Sequence, residues 1–134
     1  MARAIVAVIA GLVAAFVSIL VTEAVGALVV PAGVAPSLKD AERMREYLAG
    51  LPLSAYAFII AAYLIGSAVG GVVAARVVGR PSSRCVWVVG GLLLAVTMGN
   101  LVLIPHPLWF SIASVVAIFA GTVFAASTRG GVVR

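Results

Sequence analysis

Acidic, thiol and imidazole side chains are scarce in this sequence, and their scarcity excludes most kinds of catalytic or metal site. Four Asp or Glu, one cysteine and one histidine occur among 134 residues. The lone Cys85 cannot form an internal disulfide, and no cluster of His, Cys, Asp and Glu stands along the chain to hold a metal ion. Neither a nucleophile–base set nor a glycine-rich phosphate loop after a strand is present. We therefore expect no metal, no cofactor and no enzymatic activity.

Charged residues are also rare, and this determines the solvent of the protein. They make up 10% of the chain and hydrophobic residues 64%, whereas soluble domains have about 25% and about 45–50%. So few polar side chains cannot cover a water-soluble fold, and the surface must therefore face lipid. The apolar stretches are continuous and do not alternate with polar residues, which indicates transmembrane helices and not barrel strands.

Four apolar stretches predict an all-α integral membrane bundle of four transmembrane helices, in one domain covering residues 1–134. Prolines or a basic turn separate the stretches. The predicted spans are residues 4–30, 53–78, 85–104 and 108–127. For the first span, a cleaved signal peptide ending at Ala24-Val25-Gly26 is the alternative, although the apolar run before that point is longer than usual for a signal peptide.

The longest polar segment, residues 31–52, contains a predicted short amphipathic helix in the first extramembrane loop. Ser37 and Asp40 suit the N-cap and N3 positions of a capping box, and Gly50 followed by Pro52 suits the end of the helix. We expect a connector that lies over the bundle or on the membrane surface. Recognition of a partner is the alternative.

Basic residues are distributed unequally over the two sides of the predicted bundle. The side shared by both termini and the middle loop carries Arg3, Arg76, Arg80, Arg84, Arg129 and Arg134, and the other side carries Lys39, Arg43 and Arg45. By the positive-inside rule, we expect a multi-pass protein of the cell (inner) membrane with both termini in the cytoplasm. The net charge of +5 then reflects topology and contact with anionic membrane lipid, and we expect no nucleic-acid partner.

Small residues recur at helical spacing in three of the spans. In lipid, close backbone approach through such residues replaces the hydrophobic force between helices. We interpret them as helix-packing faces, with packing inside the chain as the first expectation and a homo-oligomer seam as the second. The residues are Gly11 and Gly26 in the first span, Ala62, Gly66, Gly70 and Ala74 in the second, and Gly121 in the fourth.

Glu23 is the one acid inside an apolar stretch. A carboxylate costs about 2.5–3.5 kcal/mol at the bilayer centre, so it is a candidate functional group. Glu23 lies about 28 Å along its span, counted from Ala4, and therefore near the outer edge of the hydrocarbon. We expect Asn100, His106 and Tyr56 at the same level, and hypothesise an outward-facing polar pocket in which Glu23 pairs with His106 or Asn100. A purely structural hydrogen bond between helices is the alternative.

Three segments resemble a group of small, uncharacterised four-helix membrane proteins of bacteria. They are Thr22–Gly26 (TEAVG), Gly66–Gly71 (GSAVGG) and Ile104–Phe110 (IPHPLWF). The resemblance implies a four-helix architecture over nearly the whole chain and implies no activity. An acid in the first of four spans is also similar to the small multidrug resistance transporters. In that family, however, the acid lies mid-helix and all connections are short, whereas Glu23 lies late in its span and the first connection is long.

Two classes of function follow from these observations. The leading expectation is a non-enzymatic protein that associates through its helices, as a homo-oligomer or as an accessory subunit of a larger membrane complex. The alternative is a small transporter or proton-linked carrier that uses Glu23 and His106 in the polar pocket. An enzyme acting on lipid ranks third, because the sequence does not bring the two residues together.

Overall fold

The described part of the chain, residues 1–79 and 84–128 of the computed structural model, consists of five helices without a strand. They are α1 (Ala2–Val29), α2 (Ala41–Gly50), α3 (Leu53–Val78), α4 (Arg84–Leu103) and α5 (Leu108–Ser127). This confirms the predicted all-α class. The four long helices begin and end within two residues of the predicted span limits.

The helices α1, α3, α4 and α5 are each long and apolar enough to cross a membrane. At a rise of about 1.5 Å per residue, the shortest of them reaches about 30 Å, the thickness of the hydrocarbon core. Large apolar side chains such as Val13, Val17 and Val116 are exposed on the outside of the bundle. This outer surface suits lipid and not water, and the chain is a multi-pass membrane protein.

Proline and glycine set the helix boundaries. Val30 is extended (φ −120°, ψ 97°) and ends α1, because a residue that precedes proline is disfavoured in the helical region. Pro52 and Pro107 are the N-caps of α3 and α5. Gly79 ends α3 with a left-handed backbone (φ 65°), a conformation that glycine adopts without the steric penalty of a Cβ.

The amphipathic helix α2 is present, but its N-cap is not the predicted one. Asp40 caps α2, and its carboxylate accepts a hydrogen bond from the Arg43 N–H at 3.2 Å. Ser37 instead forms a separate turn, in which its hydroxyl accepts from the Lys39 N–H at 3.3 Å. The assignment of Ser37 as N-cap is wrong because Asp40 satisfies the N3 amide itself and also forms an ion pair with Arg43 at 3.3 Å.

α3 is the central helix of the bundle. It packs most extensively against α1, then against α5 and α4, while α4 also contacts α1 and α5. α1 and α5 do not contact one another, so they flank the α3–α4 pair. The Arg3 guanidinium donates to the Val77 carbonyl at 3.3 Å, which places the start of α1 beside the end of α3. We call the opposite end of the bundle, with residues 30–52 and 104–107, the first-loop side.

Small residues make the closest contacts between these helices. A Cβ at Gly66 would lie 2.5 Å from Ile19 of α1. Gly121 of α5 lies against Ser67 and the Leu64 carbonyl of α3. All seven predicted packing residues are buried within the chain: Gly11, Gly26, Ala62, Gly66, Gly70, Ala74 and Gly121.

Some of the sequence predictions concern residues outside the described ranges. The predicted turn at 80–83 and the tail beyond Thr128 lie there, and with them three of the basic residues used to predict orientation: Arg80, Arg129 and Arg134. Cys85 is described and buried at the start of α4.

Candidate functional site

Glu23 lines a cavity in which polar side chains from three helices meet. It lies six positions before Val29, the last residue of α1, a distance of about 9 Å along the helix axis. The cavity has a volume of about 310 Å³, and its other polar members are Tyr63 of α3 and Thr97 and Asn100 of α4. One carboxylate and three neutral polar groups therefore line a single cavity of the bundle. We call this the inner cavity.

Two of these neutral groups are neighbours. The Tyr63 hydroxyl lies beside the Asn100 side chain and within electrostatic range of the Glu23 carboxylate. Thr97 lies one turn before Asn100, so the two side chains share a face of α4. The inner cavity thus has one polar wall, formed by neighbouring groups on α3 and α4, close to the single acid on α1.

The remaining walls of the inner cavity are apolar and partly open towards lipid. Phe16, Leu20 and Val96 line it and are 43%, 64% and 57% exposed on the outside of the bundle. They belong to α1 and α4, which contact each other much less than α1 contacts α3. The cavity therefore has a lateral opening between α1 and α4.

Glu23 also lines a second cavity on the first-loop side, which we call the loop cavity. It has a volume of about 470 Å³ and extends beneath α2: Tyr47 of α2 and Leu51, the residue that follows the helix, line it. Phe58 of α3 and Ile104 at the end of α4 form part of its apolar wall. Glu23 belongs to both linings, so the two cavities adjoin at this residue.

Among the described residues, no lysine, arginine or histidine lines either cavity. The carboxylate therefore has no basic side chain among the residues that enclose it. An ionised acid in a low-dielectric region is unfavourable unless it is paired or becomes neutral. A proton or a cation from outside the protein would provide that neutralisation.

The structure does not bring His106 or Tyr56 into these cavities. A His106 ring nitrogen lies 3.0 Å from the Ile104 carbonyl oxygen, and the ring stacks on Phe110 with centroids 5.0 Å apart. The buried Tyr56 hydroxyl donates to the Leu48 carbonyl of α2 at 2.7 Å, and its ring meets Trp109 edge-on at 5.1 Å. The two residues join an aromatic cluster that fastens α2 and the 104–107 corner to the bundle.

The sequence-predicted pocket omits Tyr63 and Thr97. Thr97 carries a usable signal, because it stands three residues before Asn100 and adds a second polar group to the same helical face. Tyr63 lies in a largely apolar span, and the pattern within that span does not indicate which neighbouring helix it faces. Of the predicted group, Glu23 and Asn100 line the same cavity.

Comparison with protein-family models, with curated proteins and with solved structures finds no match to this chain.

Proposed function

We propose that this protein is a small proton- or cation-linked membrane carrier whose binding group is Glu23. The observation that supports this most strongly is the convergence of Glu23, Tyr63 and Asn100, from three different helices, on one cavity. Polar groups inside a membrane bundle are costly, and such convergence is typical of ion and proton pathways. This proposal changes the order of the two functions expected from the sequence.

The two adjoining cavities suggest how such a site would be reached. A proton or cation would enter through the loop cavity beneath α2 and meet the carboxylate where the cavities adjoin. Neutralisation of Glu23 removes the electrostatic penalty of the ionised acid, so occupied and empty states would differ in the stability of the α1–α4 region. His106 has no part in this site, since its ring lies against Phe110.

The small-residue faces also favour the carrier over association. The buried glycines of α1, α3 and α5 already contact neighbouring helices of the same chain. These glycines are therefore not available to form an interface with a second copy of the chain. Among the described glycines of the four spans, only Gly91 and Gly99 of α4 have nothing within 4 Å of an added Cβ.

Glu23→Gln tests the proposal directly, because it removes the titrating proton and preserves side-chain shape. Infrared difference spectra of the protein in lipid, taken between acid and alkaline pH, would contain a protonated-carboxyl band from Glu23. We expect that band to disappear in Glu23→Gln. The matched control is Glu46→Gln, since Glu46 is an exposed acid on α2 outside the spans, and its loss should leave the Glu23 band in place.

Identical spectra for the parent and Glu23→Gln would refute the proton-linked site. A parent protein whose stability does not change with pH would also count against the proton-linked site. Neither measurement requires a transported substrate to be identified.

We further propose that the first-loop side faces the cell exterior, with both termini in the cytoplasm. The unequal arginine distribution supports this orientation. Lys39 is the only lysine of the chain and is exposed on the first-loop side, which makes it a single-site reporter. A membrane-impermeant amine reagent added to intact cells should label Lys39 and not the N-terminal amine, as peptide mapping would determine. The reverse pattern would invert the topology.

Association is a second candidate, supported by one face of α4. Gly91, Ala95 and Gly99 follow each other at four-residue spacing and are exposed. A Cβ added at Gly91 or Gly99 would meet nothing within 4 Å, so this stripe has no partner in the described chain. Small-residue stripes of this spacing pair helices in membranes. If the stripe is a dimer interface, photobleaching in liposomes should count two steps per particle for the parent and one for Gly99→Leu.

A further inference from the structure

We propose that the inner cavity binds a monovalent alkali cation through side-chain oxygens of Glu23, Tyr63, Thr97 and Asn100. This inference rests on the proposed function, because it names the ligand class of the same site. It follows from three features of the cavity: its charge, the chemistry of its donor atoms and its size.

The charge of the cavity favours a monovalent ion. Glu23 is the one acid among the lining residues, and no basic side chain joins it there. A singly charged cation gives a neutral pair in the low-dielectric region, whereas a divalent ion would leave one uncompensated positive charge. The described residues also contain no group of three or more His, Cys, Asp and Glu that would suit a divalent or transition metal.

The donor atoms favour a hard alkali ion. The four polar side chains offer a carboxylate, a phenol hydroxyl, an aliphatic hydroxyl and an amide oxygen, and none offers a thiolate or an imidazole. Oxygen donors of this kind coordinate hard cations. Tyr63 and Asn100 already lie beside each other on the wall that faces the carboxylate, so little reorganisation is needed to gather these two neutral groups.

The size of the cavity leaves room for a partly hydrated ion. Its volume of about 310 Å³ exceeds what one bare ion needs, and a water molecule takes about 30 Å³ in the liquid. Several waters can therefore complete the coordination shell around the four protein groups. The apolar walls would then exclude further water without contributing ligands.

Proton and cation would compete for the same carboxylate. The titratable groups that face Glu23 are Tyr63 from α3 and, across the loop cavity, Tyr47 from α2. The α4 wall contributes the neutral Thr97 and Asn100. The alkali ion should therefore lower the amplitude of the Glu23 infrared band at a given pH, because the bound cation displaces the proton.

The experiment measures the thermal stability of the full chain in detergent at constant ionic strength. LiCl, NaCl and KCl are compared with N-methylglucamine chloride, whose bulky cation does not fit an oxygen cage. We expect at least one alkali salt to raise the melting temperature saturably over the N-methylglucamine value. Glu23→Gln should abolish this dependence, and Thr97→Val should weaken the apparent affinity by about tenfold or more, since it removes an oxygen bonded to a charge.

Thr122→Val is the matched control for Thr97→Val. Thr122 is also buried, but its hydroxyl donates to the Ile118 carbonyl at 2.8 Å and it lines neither cavity. Its replacement can change the melting temperature but should leave the ion dependence unchanged. If Glu23→Gln does not fold, Tyr63→Phe provides a second test of the site. This variant should also weaken alkali binding.

Two results would overturn the inference. One is a parent protein whose stability responds to alkali salts no more than to N-methylglucamine. The other is an alkali response that persists in Glu23→Gln or is unchanged in both Thr97→Val and Tyr63→Phe. If the Glu23 infrared band is present while alkali salts have no effect, the alkali site fails and the proton-linked function stands. If the band is absent from the parent at every pH, the proton-linked function itself fails.

Discussion

Gly11 of α1 and Gly70 of α3 meet backbone to backbone across the largest interface of the bundle. A Cβ at Gly11 would lie 2.7 Å from the Gly70 carbonyl oxygen, and a Cβ at Gly70 would lie 2.6 Å from the Gly11 carbonyl oxygen. Neither oxygen belongs to a side chain that could move aside. This reciprocal contact sets the spacing of α1 and α3, and therefore the spacing of Glu23 and Tyr63 further along the same helices.

Gly70→Ala should destabilise the bundle because the added methyl group must push the α1 backbone away. Overpacking of this kind costs about 1–3 kcal/mol. Unfolding by a denaturing detergent, followed by circular dichroism, would measure the loss.

Gly99→Ala is the matched control, since a Cβ there meets nothing within 4 Å. Alanine is favoured over glycine in a helix by up to about 1 kcal/mol, so this variant should be as stable as the parent or slightly more stable. Equal stability losses in the two variants would contradict the backbone contact.

Asp40→Ala should loosen α2, because it removes both the N-cap hydrogen bond and the ion pair with Arg43. Loss of an N-cap side chain costs about 0.5–2 kcal/mol. Hydrogen exchange in lipid nanodiscs should become faster for the α2 amides in Asp40→Ala. Ser37→Ala should leave those amides unchanged, and the opposite order would restore Ser37 as the cap.

Tyr56→Phe should loosen the attachment of α2 to the bundle without removing the aromatic ring. The lost bond to the Leu48 carbonyl is worth about 0.5–1.5 kcal/mol. Since α2 covers the loop cavity, a cysteine at the cavity-lining position Ala55, in a Cys85→Ala background, should react with maleimide about two- to tenfold faster.

Tyr47→Phe is the control for that measurement. Tyr47 of α2 also lines the loop cavity. The described hydrogen bond that ties α2 to α3 is donated by the Tyr56 hydroxyl and not by the Tyr47 hydroxyl. Its replacement should leave the labelling rate unchanged. A Tyr56→Phe rate equal to that of the parent would mean that the Leu48 bond does not hold α2 over the cavity.

Ser114→Ala should leave the protein as stable as before or stabilise it. The Ser114 hydroxyl is buried in α5 and has no hydrogen-bond partner among the described residues. An unsatisfied buried polar group costs about 1–3 kcal/mol, which alanine avoids. Ser67→Ala is the comparison, because the Ser67 hydroxyl donates to the Tyr63 carbonyl at 2.8 Å and that bond is lost. Detergent-induced unfolding should rank Ser114→Ala as the more stable variant.

The spans and their limits could be predicted because the responsible signals are local. A continuous apolar run determines that a segment enters lipid, and Pro31, Pro52 and Pro107 end or begin helices through steric effects on their immediate neighbours. The faces of small residues were also readable, since helical spacing alone places Gly66 and Gly70 on one side of α3.

The capping of α2 was predictable only in part. Both Ser37 and Asp40 are good N-cap residues, and the sequence spacing allows either. The choice of Asp40 depends on its additional pairing with Arg43, which side-chain geometry decides. When two N-cap residues are nearly equal by sequence, the contacts of their side chains in the folded structure decide between them.

The sequence by itself determined that the chain enters lipid, which segments cross it, and that Glu23 is the one acid embedded there. The tertiary structure alone decided that Glu23 shares a cavity with Tyr63, Thr97 and Asn100, while His106 turns to the Ile104 carbonyl and Phe110. Entry into lipid depends on the transfer free energy of each segment separately. The partners of Glu23 depend on the rotation and neighbours of whole helices, which the contacts between small residues on different spans impose.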